Sequence, residues 1–181
     1  MKGIVLLANG FEDIEALATI DLLKRANIEV ETVSVENTIE IKTQYNLCIK
    51  ADKLYSEIKL EDYNFVILPG GKAVVETHLN STITKQTITH FINNHQLVCA
   101  ICAAPSVLGV LGYLKNKPYT CFPGFEEYIV DGINKTNEKV VVTDNIITSK
   151  AAGASFLFAY EIIKYLKDEA VANDVLNKIY Y

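Results

Sequence analysis

Apolar positions along this chain alternate between two rhythms. Residues 3–8 and Phe65–Leu68 are short unbroken apolar runs, as expected of strands buried on both faces. Between them Ile14, Leu17, Ala18, Leu22 and Leu23 recur at helical spacing, which predicts a helix over 12–26 with that face inward. Residues 29–35 alternate and read as a strand, 46–49 as an edge or hairpin strand, and 52–59 carry little pattern. A helix is predicted over 81–94, with Ser81 as N-cap and Ile83, Thr87, Ile88, Phe91 and Ile92 inward. Residues 96–101 form the next strand and 104–111 the helix after it. A short strand at 119–122 and a helical turn at 125–130 follow. Two apolar runs within 139–149, joined near Asp144-Asn145, predict a hairpin. Helices over 153–166 (Phe156, Ala159, Tyr160, Ile163 and Leu166 inward) and 170–180 close the chain.

Strand–helix alternation of this kind implies an α/β sandwich, a mostly parallel sheet between helix layers. Such sheets bind ligands outside the carboxyl ends of their strands. Three strand ends are sharply punctuated: Asn9-Gly10, Pro69-Gly70-Gly71 and Ile101-Cys102. They are predicted to converge.

Composition narrows the classes of function. The 181 residues are 50% hydrophobic and 22% charged, the profile of one globular domain spanning 1–181. Seventeen basic residues form no long run and the net charge is -5, which argues against a nucleic-acid partner. No run reaches about 18 apolar residues and no leader pattern precedes the first strand, so no membrane partner and a cytoplasmic location are expected. In that compartment Cys48, Cys99, Cys102 and Cys121 are expected as free thiols. Metal-ligand spacing is absent, and neither a metal nor a cofactor is expected.

The chemistry centres on Cys102. It ends an apolar strand and is followed by Ala103-Ala104-Pro105, small residues that let the chain turn at once into a helix. This is the layout of a nucleophile elbow with sulfur as the nucleophile, and the helix start favours the thiolate. Cys99 falls inside the strand, which argues against a Cys-x-x-Cys redox pair. A carboxyl group kept protonated by burial would donate a hydrogen bond to the thiolate. Glu12, Asp13 and Glu15 are the candidates, or simply complement the helix dipole in its first turn. Glu15 stands apart because Ile14 and Ala16-Leu17-Ala18 surround it. Gly70 and Gly71 read either as backbone donors to an oxyanion or as an ordinary tight turn. His78 lies seven residues past the glycine pair, within possible reach of the site, whereas His90 and His95 read as solvated helix residues.

Four ordered motifs carry a family resemblance: Gly10-Phe11-Glu12-Asp13-Ile14-Glu15, Leu68-Pro69-Gly70-Gly71, Ala100-Ile101-Cys102-Ala103-Ala104-Pro105, and Thr148-Ser149-Lys150-Ala151-Ala152-Gly153-Ala154-Ser155-Phe156. The chain resembles the ThiJ/PfpI superfamily, in the DJ-one branch, over nearly its whole length. The resemblance implies a flavodoxin-like three-layer sandwich and a homodimer. It implies Cys102 as the reactive thiol, Glu15 as its carboxyl partner, and Gly70, Gly71 and Ala103 as backbone donors.

Departures from the pattern refine the expectation. Protease-like members carry a histidine directly after the nucleophile, where this chain has Ala103; the DJ-one branch carries one where this chain has Cys121. Without a Cys-His dyad, peptidase or amidase action of the PfpI kind is disfavoured. The family's arginine beside the site has no counterpart around residues 44–47. The expected function is glyoxalase- or deglycase-like action on small reactive carbonyls such as methylglyoxal. The alternative is an oxidative-stress sensor in which an oxidant is the partner of Cys102 and Cys121 serves as resolving thiol.

Overall fold

The computed structural model describes residues Met1–Tyr181 and opens with β1 (Lys2–Leu7), five of whose six residues are buried. Along the chain follow α1 (Asp13–Arg25), β2 (Glu29–Ser34), β3 (Glu40–Lys42), β4 (Cys48–Lys50), β5 (Lys53–Leu54), β6 (Phe65–Leu68), α2 (Lys72–Asn80), α3 (Thr82–Asn93), β7 (Leu97–Ile101) and α4 (Pro105–Val110). Then come β8 (Pro118–Tyr119), β9 (Ile133–Asn134), β10 (Val140–Thr143), β11 (Ile146–Ser149), α5 (Ser155–Leu166) and α6 (Glu169–Lys178).

One seven-stranded sheet has the order β10-β11-β7-β6-β1-β2-β5. All its pairings are parallel except the edge pair β10–β11. Gly3 of β1 faces Val30 on one side and Phe65 on the other. The chain therefore winds outward from β1 to β2 and β5, then returns to β6 and winds the opposite way. That reversal makes the crevice between β1 and β6 the topological switch point, where α/β sheets place their sites. Packing of α1 and α6 on α5 builds one helix layer, and packing of α2 on α3 and α4 builds the other, giving the flavodoxin-like three-layer arrangement. Paired β3 and β4 form a small ribbon outside the main sheet, docked by an isolated bridge from Phe11 to Thr43. No helix is long and apolar enough to cross a membrane.

Several local readings are revised. The inward face of α1 is Glu15, Ala16, Thr19, Leu22 and Leu23, whereas Ile14 (51%) and Leu17 (39%) are exposed. The apolar stripe of this helix is wider than the core can cover, and packing against α5 decides which edge turns in. In α5 the fully buried set is Ser155, Phe158, Ala159, Ile162 and Ile163, so Phe156 and Tyr160 lie at its margin. Helix α2 had no sequence signal: Val74, Val75 and Thr77 are weak helix formers and its N-cap, Gly71, offers no side chain. Of the strand predicted over 119–122 only Tyr119 pairs, as the end of β8 against β9.

Candidate active site

Cys102 follows β7 with a backbone φ of 65°, left-handed for a non-glycine residue. The flanking hydrogen bonds force that turn. Cys102 N–H donates to Ser149 O at 2.8 Å, Ala104 N–H to Ile101 O at 3.0 Å, and Phe122 N–H to Cys102 O at 2.7 Å. The sulfur is thereby lifted above the strand ends, and Cys102 is partly exposed.

Glu15 reaches the same place from the first turn of α1. Its side chain is fully buried, Oε2 accepts from Gly70 N–H at 2.8 Å, and Oε1 has no hydrogen-bond partner. Burial pushes this carboxyl up from 4.5 to about 7; contact with Cys102 opposes the shift, the nearby Glu12 charge adds to it and the Gly70 N–H opposes it. Burial, followed by the Glu15 charge and contact, holds the Cys102 thiol well above its ordinary value, while the Ala103 and Gly71 N–H groups pull it down. The expectation that the helix start yields a thiolate is therefore not met: burial and the neighbouring Glu15 carboxyl favour the protonated thiol, and the two groups titrate as a coupled pair.

Glycines make this approach possible. A Cβ at Gly70 would lie 2.6 Å from Cys102 Cβ and 2.7 Å from Glu15 Oε2. Gly71 has φ 111° and turns its backbone against Gly10 O. Since Gly70 N–H is committed to Glu15, the donors that face the sulfur are Gly71 and Ala103. The three punctuated strand ends do converge: Gly10, Gly70-Gly71 and Cys102 adjoin one another.

A cavity of about 410 Å³ opens over the thiol, lined by Glu12, Glu15, Gln44, Tyr45, Gly71, Lys72, Cys102, Ala103, Phe122, Phe125, Ala151, Ala152 and Gly153. Sequence reasoning singled out only some of these. Gln44 and Tyr45 come from the β3–β4 ribbon, and Lys72 from the unforeseen helix; no periodicity marks such residues. Cys121 is buried beside the elbow, joined to it through the Phe122–Cys102 hydrogen bond, and its thiol is pushed up to about 12 by burial. Cys99 is buried inside β7, and all four cysteines are free. His78 faces away from this cavity: it is fully buried, with Nδ1 2.9 Å from Thr84 Oγ1, Nε2 unpartnered and its pKa lowered by burial to about 4. No group of three or more His, Cys, Asp or Glu side chains is placed to hold a metal ion.

The family model of the DJ-1/PfpI family matches residues 1–165. This chain belongs to the DJ-1/PfpI family. It is 32% identical to protein DJ-1alpha of Drosophila melanogaster over 176 residues, covering 96% of this chain and 81% of the relative. It is 30% identical to the deglycase PH1704 of Pyrococcus horikoshii over 169 residues, covering 92% and 100%. Some relatives are longer, and the chain spans 40% of the DJ-1 homolog B of Arabidopsis thaliana. Among solved structures, oxidized Toxoplasma gondii DJ-1 superposes with a TM-score of 0.94 at 30% identity, covering 99% of this chain and 98% of that one.

Proposed function

We propose that this DJ-1/PfpI protein acts on small reactive carbonyls through Cys102, in glyoxalase- or deglycase-type chemistry. The observation that carries the reading is Glu15: buried beside the thiol, fixed through one oxygen and unpartnered at the other, with a pKa of about 7. Such a group exchanges protons in both directions near neutrality. The similar Pyrococcus protein is named a deglycase, which supports the same class.

For a 2-oxoaldehyde, Cys102 sulfur bonds to the aldehyde carbon. The carbonyl π bond opens, and the thiol proton passes through Glu15 to the new hydroxyl. Gly71 and Ala103 N–H groups meet the oxyanion on the way. Glu15 carboxylate then removes the proton from that carbon, leaving an enediolate, and delivers it to the neighbouring carbon while the proton of the first hydroxyl moves to the former ketone oxygen. The aldehyde carbon is oxidised to a thioester as the ketone carbon is reduced to an alcohol, so no outside oxidant is needed. Water cleaves the thioester, releasing the 2-hydroxy acid and the thiol. Lactate formation from methylglyoxal tests the reading: Cys102→Ser abolishes it, and full activity in that variant removes the mechanism.

A second reading is oxidative sensing. Two N–H groups and a protonatable carboxyl around one sulfur would hold the oxygens of a sulfinate, and a similar DJ-1 structure is of an oxidized protein. Condensation of a Cys102 sulfenic acid with Cys121, releasing water, would form a disulfide, but the burial of Cys121 opposes the thiolate that step requires. Sulfinate is therefore the expected end point. Mass spectrometry after mild peroxide tests it; equal oxidation of all four cysteines argues against it.

The chain is further proposed to act as a homodimer. Ile14 and Leu17 on α1 are exposed, as are Tyr45 and Leu47 on the β3–β4 ribbon, which Gln44 N–H ties to Phe11 O at 2.8 Å just before α1. This apolar face is suited to a second copy.

A further inference from the structure

We propose that Lys72 sets the substrate class of the Cys102 cavity by seating an anionic group, so that the site selects reactive carbonyls bearing a carboxylate or phosphate a few bonds from the carbonyl carbon. The inference rests on the carbonyl reading above and extends it to the far end of the substrate.

Lys72 is the first residue of α2, directly after Gly71, whose N–H faces the sulfur. The turn that supplies a backbone donor to the reacting centre therefore also delivers an ammonium to the cavity wall. Lys72 is exposed and lines the cavity with Cys102, Phe122 and Phe125, where it is the one cationic side chain. It also lines the two adjoining hollows, so a substrate extending from the thiol in either direction passes it. Lys72 takes part in none of the ion pairs of this protein.

Glu76, one turn further along α2, lines the two adjoining hollows with Lys72 but forms no ion pair with it, and the two carboxylates of the Cys102 cavity itself are engaged elsewhere. Glu12 caps α1 by accepting from Glu15 N–H at 2.9 Å, and Glu15 is tied to Gly70 and Cys102. The Ala103 and Gly71 N–H groups serve the sulfur, and Lys72 is the cation that remains at the cavity wall for the substrate. Apolar walls on one side reduce the screening of an anion held there.

Initial rates test this with 4,5-dioxopentanoate, a 2-oxoaldehyde ending in a carboxylate, and its methyl ester. The wild type is expected to favour the carboxylate about fivefold in kcat/KM, the range of a solvent-accessible charge pair. Lys72→Met brings the ratio to about one and Lys72→Arg keeps it. A ratio equal in wild type and Lys72→Met, or an equal loss on both compounds, overturns the proposal. Alkylation of Cys102 by iodoacetate against iodoacetamide reads the same charge without turnover. If neither oxoaldehyde is converted but Lys72→Met slows iodoacetate selectively, the carbonyl reading fails and the anion seat stands. An unchanged alkylation ratio overturns the seat even where oxoaldehydes are converted.

Discussion

Gly70 donates its backbone N–H to Glu15 Oε2 at 2.8 Å, joining the end of β6 to the first turn of α1 across 55 residues of chain. The bond spans the switch point of the sheet and leaves Glu15 Oε1 unpartnered, free to serve the thiol. Removing the glycine should damage both partners at once. Gly70→Ala is expected to destabilise the fold by about 1–3 kcal/mol, the usual cost of overpacking, and to lower kcat on methylglyoxal more than it changes KM. Thermal melting and steady-state kinetics check this; an active, fully stable variant would show that the close approach is not required.

Glu15→Gln keeps the shape and removes the exchangeable proton. A drop in kcat of about a hundredfold or more is expected, the range of a lost general acid–base. The low-pH limb of the wild-type rate profile should fall near pH 7, where Glu15 titrates, and vanish in the variant.

Glu15 and His78 pull stability in opposite directions with pH. The Glu15 pKa rises from 4.5 to about 7 on folding, so its contribution is full below 4.5 and is lost as pH rises to about 7. For His78 the pKa falls from 6.5 to about 4, so its contribution is full above 6.5 and is lost as pH falls to about 4. Each shift is worth about 3 kcal/mol, and between about pH 4.5 and 6.5 the two slopes nearly cancel. In that window Glu15→Gln should become more stable with rising pH, and His78→Leu less stable. Denaturant titrations at several pH values check the signs; parallel profiles for wild type and both variants would refute this account.

Leu17→Glu places a charge among the exposed apolar residues of α1 proposed to meet a second copy. Light scattering should report a dimer for the wild type and a monomer for the variant, with melting of the monomer lowered. A wild type that is monomeric at micromolar concentration would rule out the dimer face.

The centre of the sheet was readable because its strands are buried on both faces: β1 and β6 appear in the sequence as unbroken apolar runs that only a central parallel strand needs. Cys102 was readable from its position after such a run, and the glycine pair from its place at the end of another. What stayed hidden depends on partners distant in sequence. Ile14 and Leu17 fit the same helical stripe as Leu22 and Leu23, and only packing against α5 determines which edge is covered. Helix α2 owes its existence to burial of Val74, Val75 and His78 rather than to propensity, so Lys72 at its start went unremarked. The polarity of the thiol's surroundings was likewise invisible: local sequence supplies a helix start, while the carboxyl that adds to burial in holding the thiol protonated arrives from residue 15.

The left-handed backbone of Cys102 also sets activity against durability. A residue with a Cβ gives up about 1–2 kcal/mol in that conformation, and glycine does not. Part of that difference is offset because glycine also gains freedom in the unfolded chain. Cys102→Gly should therefore be chemically dead yet no less stable than wild type, and an inactive lineage drifting without selection on its chemistry would be free to relax this turn first. On the proposed reading, the reactive thiol is held in place at a standing expense to the fold.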